Sequence, residues 1–465
     1  MQAAKDTVSE KLGNMKAAYE ENGDYARSAM IRMKTDWGMN FPENPLAIAN
    51  ELDINEKMSR HNLNVNMVYE FIPDLKLSAR LGQQWYNYRY FYYRPMSIGR
   101  DAAVAYSDAL KPYNIARTTS TYDVDRLGEF MLSYKKEFGR HHFDALAGYT
   151  LQKKTYDRLG VEATGFADDR IHEVTGHGSN ASDISLYSTR KAAWAMMSFL
   201  TRVNYSFDDR YTLTGSFRAD GSSKLAPGHR WGYFPSFSAA WRISGEKFLR
   251  DVSWINDLKL RAGWGQTGNQ AGLAEYGWMQ QYSTNYYDWT LTENAQAVPT
   301  VGGRSNIKNE DLTWETSSQT NVGLDFALLN NRLSLSLDYY YKYTKDMLMS
   351  VPLPSPYPNI TRNDGEMSNQ GFEITLSSVN IARKDFNWST DLNVSLNRNK
   401  VEKLNLKQVY YYATTSDATN DNVVRMTPGH PLSMFWGYVS KGVDPETGDL
   451  VYEDRNGDGE ITPLD

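Results

Sequence analysis

The sequence predicts an all-β fold, specifically an antiparallel β-barrel that crosses a membrane. Three observations predict it. Apolar and polar side chains alternate through a dozen segments. Short and long connections alternate between those segments. The chain also carries 32 Tyr, 17 Phe and 12 Trp at a mean hydropathy of only −0.61.

The alternation comes first because it defines the strands. Leu63, Val65, Met67, Tyr69 and Phe71 are interleaved with Asn64, Asn66, Val68 and Glu70. Val322, Leu324, Phe326 and Leu328 alternate with Gly323, Asp325 and Ala327, and Leu333, Leu335, Leu337 and Tyr339 with Ser334, Ser336 and Asp338. A period of two gives a strand one apolar and one polar face. The template marks twelve strands, near 60–72, 75–93, 122–138, 142–160, 189–207, 210–220, 232–243, 257–265, 313–329, 331–345, 366–382 and 385–400, with a thirteenth near 430–442. Residues 1–59 form an irregular segment leading into the barrel, with a short helix near Ser9–Tyr19; 60–400 hold the transmembrane strands; 401–465 form an extracellular loop and a further strand.

The connections supply the second argument. Pro73-Asp74, Gly139-Arg140, Asp208-Asp209, Asn330-Asn331 and Arg383-Lys384 make tight turns. Long polar loops lie near 94–121, 161–188, 266–312, 346–365 and 401–429. Loops beyond about 12–15 residues are uncommon in compact soluble domains, whereas outer-membrane barrels sort short turns to the periplasm and long loops to the outside.

Composition supplies the third. A transmembrane strand needs only about 9–11 residues, apolar on alternate positions, so average hydropathy stays low. Tyr and Trp suit the bilayer interface, and the run Trp85–Tyr93 reads as part of an interfacial girdle or of the barrel rim. No run near 18 apolar residues predicts a transmembrane helix. The absence of Cys excludes disulfide scaffolds, Cys-bound zinc and thiol chemistry. A net charge of −6 gives no electrostatic case for nucleic acid. Residues 1–25 contain no apolar stretch of signal-peptide type, so an export signal is expected upstream of them.

The runs Arg202–Lys224 (RVNYSFDDRYTLTGSFRADGSSK), Trp231–Glu246 (WGYFPSFSAAWRISGE) and Leu258–Asn269 (LKLRAGWGQTGN) occur in that order. Leu312–Asp325 (LTWETSSQTNVGLD), Asn331–Thr344 (NRLSLSLDYYYKYT), Asn369–Glu373 (NQGFE) and Trp436-Gly437-Tyr438 follow them. Together they resemble the barrel of the SusC/RagA family of TonB-linked outer-membrane proteins, over residues 42–465. The resemblance implies a 22-stranded barrel, of which 12–13 strands are present here, with an N-terminal plug and further C-terminal strands expected outside this sequence. It implies a place in the outer-membrane lipid of a Gram-negative bacterium, a SusD-like lipoprotein partner, and energy from TonB–ExbB–ExbD through the missing N-terminal region. The cargo it implies is an oligosaccharide or a peptide. No enzyme is expected. The alternative is an adhesion or structural barrel without active transport, and a soluble lectin-like β protein is a third possibility.

Four local motifs carry residue types that suggest chemistry. Asp454, Asn456, Asp458, Glu460, Thr462 and Asp465 follow the twelve-position calcium-loop spacing, with Gly459 at the sharp turn. A structural Ca²⁺ is therefore a candidate, against a solvated acidic turn, although Asp465 stands where a bidentate Glu is usual. Gly263-Trp264-Gly265-Gln266-Thr267-Gly268 matches a dinucleotide-binding pattern. It is set aside because the preceding strand alternates rather than being buried on both faces. His172, Glu173 and His177 fit no zinc spacing. Trp278, Tyr286, Tyr287 and Trp289 crowd one long loop and are candidate ligand contacts, since aromatic faces stack on sugar rings. Self-packing of that loop is the plainer explanation. No catalytic constellation is evident.

Overall fold

The computed structural model describes residues 45–95, 114–166, 168–174, 184–249, 252–287, 298–351, 353–354, 357–405, 410–414, 422–455 and 457–461. The helix expected near Ser9–Tyr19 lies outside them. The chain forms two compact units. The first comprises residues 1–66, 80–128 and 152–194, and the second 67–79, 129–151 and 195–465.

A short helix, α1 (Pro45–Glu51), precedes the strands. These run β1 (Asp53–Ile72), β2 (Leu75–Arg94), β3 (Ile115–Phe138), β4 (His141–Thr164), β5 (Ile184–Phe207), β6 (Tyr211–Ser222), β7 (Trp231–Arg242) and β8 (Ile255–Asn269). The hairpin β9 (Gln281–Tyr287) and β10 (Val298–Asn306) comes next, then β11 (Glu315–Leu328), β12 (Leu333–Val351), β13 (Ile360–Ala382) and β14 (Asn387–Leu404). Short pieces β15 (Tyr410–Thr414), β16 (Asn422–Met426), β17 (Met434–Phe435), β18 (Ser440–Val443) and β19 (Leu450–Tyr452) end the described chain. Twelve strands form one antiparallel sheet in the order β1–β8, β11–β14.

All twelve expected strands are present, most of them longer than the alternation indicated. β1 starts at Asp53 rather than near 60, and β3 at Ile115 rather than near 122. The added residues carry polar side chains on both faces, so periodicity does not mark them. The expected 266–312 loop contains the β9–β10 hairpin, and the thirteenth strand near 430–442 is replaced by the short β17 and β18.

The turns follow from local chemistry. Pro73 presets φ for its turn and Asp74 adopts φ +79°. Gly139 (φ +62°), Asp208 (+55°) and Asp209 (+51°) supply the left-handed residues of the next two turns. The β11–β12 turn is wider than the expected Asn330-Asn331 pair, because Leu329 also enters the left-handed region at φ +55°.

In the second unit the register aligns side chains into rows. One row runs Tyr205–Leu213–Ala239–Ala262–Val322–Tyr339–Phe372–Leu396 from β5 to β14. A neighbouring row runs Phe207–Tyr211–Trp241–Leu260–Leu324–Leu337–Ile374–Val394. This face is apolar and open: Leu213, Phe237, Phe372 and Leu396 are each more than half exposed. The opposite face carries Lys259, Arg261, Asp325, Ser336, Asp338, Glu373, Asn393 and Ser395. A sheet with one face for hydrocarbon and one for a polar interior has no conventional core along its strands. In this unit the fully buried apolar side chains gather instead beside the long connections, as Leu225, Leu273 and Leu312 do.

Candidate functional site

The polar face carries a side-chain network that spans β8, β11 and β12. Gly323 on β11 stands opposite Arg261 on β8 and opposite Asp338 on β12. With no side chain at Gly323, the guanidinium reaches across to both acids. Its Nε donates to Asp325 Oδ2 at 2.7 Å and its Nη2 to Asp325 Oδ1 at 2.8 Å. The same Nη2 donates to Asp338 Oδ1 at 3.0 Å. Ser336 Oγ donates to Asp325 Oδ1 at 2.8 Å, closing the network. A Cβ on Gly323 would come within 2.7 Å of Nη2, so glycine is required by the close approach. Beside Arg261 lies a hollow of about 260 Å³, reached past Thr212, Ser238, Ala240, Gly263 and Asn321.

Further along the face, Tyr340 lies over Gly371 and its hydroxyl donates to Asn369 Oδ1 at 3.3 Å. Charged and amide groups at this density would each cost free energy against hydrocarbon. They suit a wall facing water or a polar protein filling.

At the long-connection end of the second unit, Leu225, Phe234, Leu273, Leu312 and Trp314 form a buried cluster. Phe234 meets Trp314 edge-on at 5.7 Å, and Trp314 Nε1 donates to Arg230 O at 2.9 Å. This packing ties the β6–β7 connection to the segment entering β11. In the first unit, Asn114 Nδ2 donates to Asp169 Oδ1 at 2.8 Å and to Phe166 O at 3.1 Å, while Tyr93 OH donates to the same Asp169 oxygen. Tyr93, at the end of the aromatic run, is buried against Phe166. Nearby, the Arg170 guanidinium grips Asp168 at 2.9 and 3.0 Å and holds its carboxyl down to about 2.

The expected site residues fall as follows. Trp278 is half-buried against the Leu225 cluster. The side chains of Tyr286 and Tyr287, and Trp289, lie outside the described residues; Tyr282 is exposed. In the acidic turn, Asp454 accepts the N–H of Gly457 at 2.6 Å and of Gly459 at 2.8 Å, and Asp458 accepts that of Glu460 at 2.9 Å. The backbone is thus wound around the Asp454 carboxylate. Asn456, Thr462 and Asp465 lie outside the described residues. No group of three metal-ligating side chains assembles among the described ones. His172 stacks on Tyr93 at 4.2 Å, with Asp53 3.8 Å away, and His177 lies outside the described residues. The glycines at 263, 265 and 268 all lie inside β8, paired with β11, and Gly268 leaves room for the Phe234 ring. The Arg261 network was not singled out from sequence, because its members become neighbours only once the register is known.

The model of the TonB-dependent receptor-like β-barrel family matches residues 17–462. The chain belongs to that family. It is 31% identical over 443 residues to TonB-dependent receptor P3 of Formosa agariphila, covering 91% of this chain and 42% of that protein. It is likewise 31% identical over 441 residues to TonB-dependent receptor SusC of Bacteroides thetaiotaomicron, covering 91% and 41%. Among solved structures it resembles the RagAB peptide transporter, with a TM-score of 0.76 at 27% identity over 91% of this chain and 44% of that one. The chain thus spans about two fifths of the curated relatives it matches. As a SusC/RagA-type receptor barrel it resides in the outer membrane of a Gram-negative bacterium, which makes the apolar face the lipid face. Its relatives are named as receptors and transporters, not enzymes.

Proposed function

We propose that this chain supplies barrel wall to a TonB-driven importer of oligosaccharides or peptides that works with a SusD-like surface lipoprotein. It carries out no covalent chemistry. The observation that supports this best is the likeness to both SusC and the RagAB peptide transporter over about nine tenths of the chain. The polar wall agrees with it, since a plugged conduit needs fixed charges toward its interior. Energy comes from TonB with ExbB and ExbD. Trp278, Tyr286, Tyr287 and Trp289 are assigned as ligand contacts in the loop between β8 and β11, and the acidic turn from Asp454 as a weak Ca²⁺ site of extracellular type.

The test uses the full-length receptor tagged in its own host. Importer function predicts co-purification of a SusD-like lipoprotein from solubilised outer membrane. It also predicts that uptake of at least one labelled oligosaccharide or peptide is lost when either the receptor or TonB is deleted. Uptake unchanged in both deletions, with no such lipoprotein, would favour the adhesion or structural barrel instead.

A further inference from the structure

The lipid face of the second unit is not uniformly filled. In the row running from Tyr205 to Leu396, Ala239 and Ala262 are the only small residues, and they are cross-strand neighbours. In the adjoining row Gly215 stands beside Phe237. The three small residues floor a hollow of about 670 Å³. Phe237 and Trp264, stacked at 6.4 Å and 9°, wall one side, with Leu213 and Tyr205 on the other.

Packing does not impose the hollow. Gly215 has no left-handed φ, and a Cβ there would meet Phe237 at 3.6 Å, an ordinary contact. Glycine inside a strand weakens it without such a need. Gly323 and Gly268 differ, because neighbouring side chains occupy their space. Gly215 is thus small without a packing need, and with Ala239 and Ala262 it leaves the hollow open on this face.

We infer that this hollow holds one acyl chain of an inner-leaflet phospholipid. It is continuous with the lipid face, so hydrocarbon covers it. Its rows lie two and four residues above the Phe207–Tyr211 pair, about 7 and 14 Å from the short-turn end. At that end Tyr211 OH and Trp241 Nε1 both donate to Glu246 Oε1, at 2.6 and 3.2 Å, forming an interfacial aromatic pair. The exposed Lys247 and Phe248 follow immediately in sequence. A phosphate at the Lys247 level puts its acyl chain beside Leu213 and Ala262. The short turns face the periplasm, which selects the inner leaflet and phospholipid over lipid A.

The test is native mass spectrometry of the full-length receptor, re-lipidated with palmitoyl-oleoyl phosphatidylethanolamine and stripped by detergent exchange. Wild type retains one phospholipid. Ala262→Phe and Gly215→Leu fill the hollow with apolar atoms and reduce occupancy at least about tenfold, equivalent to losing contacts of two CH₂ groups. Val394→Phe adds bulk elsewhere on the same face and leaves occupancy unchanged. Heat-modifiable migration confirms that each variant is folded. Equal retention in all four proteins overturns the inference. So does lipopolysaccharide as the species retained from native membranes, or a filled hollow that changes receptor dimerisation and not lipid retention. None of these readouts depends on import.

Discussion

Replacing Arg261 with Met removes the cation from a site where two acids converge. The guanidinium makes two hydrogen bonds to Asp325 and one or two to Asp338. A charge-assisted hydrogen bond contributes about 1.5–3 kcal/mol when well shielded. Here the three side chains are 36%, 33% and 31% exposed, so screening reduces each contact toward the value of a surface pair, about 0–1 kcal/mol. Three such contacts, together with two carboxylates left facing each other across Ser336, set the cost of Arg261→Met at about 1–3 kcal/mol. Arg261→Lys keeps the charge and loses the fork, and should cost about 1 kcal/mol. Arg261→Met combined with Asp338→Asn should recover about half the loss, because one of the opposed charges is gone. The assay is equilibrium urea unfolding of the full-length receptor in detergent micelles, followed by band shift and tryptophan fluorescence. Arg261→Met within about 0.5 kcal/mol of wild type, the range of an ordinary surface change, would refute the assignment of this network as a structural brace of the wall.

Four further outcomes follow from the same structure. Val394→Arg on the lipid face should destabilise the folded barrel by about 2–4 kcal/mol, whereas Asn393→Arg, one residue away on the polar face, should stay within about 0.5 kcal/mol in the same urea assay. Gly371→Ala would place a Cβ 2.5 Å from Leu396 O and 2.8 Å from Tyr340 Cε1, so about 1–3 kcal/mol of unfolding free energy should be lost. The Tyr211 hydroxyl, the Trp241 N–H and Arg210 hold the Glu246 carboxyl below its ordinary 4.5, so its contribution to stability is present above that pH and disappears as pH falls below it. The difference in urea midpoint between wild type and Glu246→Gln should accordingly be seen at pH 7 and vanish on acidification. For the acidic turn, Tb³⁺ luminescence competed by Ca²⁺ should give binding in the range of about 10⁻⁴–10⁻³ M that Asp454→Asn weakens, and identical titrations for both proteins would remove the calcium proposal.

Much of this fold is legible before any coordinates are known, for a physical reason. A strand between hydrocarbon and a polar interior must alternate along its whole length, so stretches such as Val322–Leu328 and Leu333–Tyr341 declare both their conformation and their outward face. The turns are legible too, because Asp74, Gly139 and Asp208 are residue types that tolerate left-handed backbone. Strand ends are less so. Beyond the bilayer a strand has no hydrocarbon to enforce the alternation, and Asp53–Ser59 of β1 reads as irregular. The Arg261 network is invisible for another reason: Arg261, Asp325 and Asp338 are separated by 64 and 13 positions, and only the paired register of three strands makes them neighbours.

The small residues show how the two faces divide the work. A wall one sheet thick has no third layer in which to bury a misfit, so any departure from full-sized side chains acts directly on what touches that face. On the polar side, Gly323 and Gly371 are small because Arg261, Asp338 and Tyr340 fill their places, and substitution there should damage the wall itself. On the lipid side, Gly215, Ala239 and Ala262 are small with space left open, so enlarging them should spare the wall and change what adheres to it. A stability assay and a lipid-retention assay on the two sets should therefore give opposite patterns. Gly371→Ala would lose stability with lipid retained, and Gly215→Leu would lose lipid with stability retained. If both sets moved together in both assays, the two faces would not be independent, and the assignment of separate roles to them would fail.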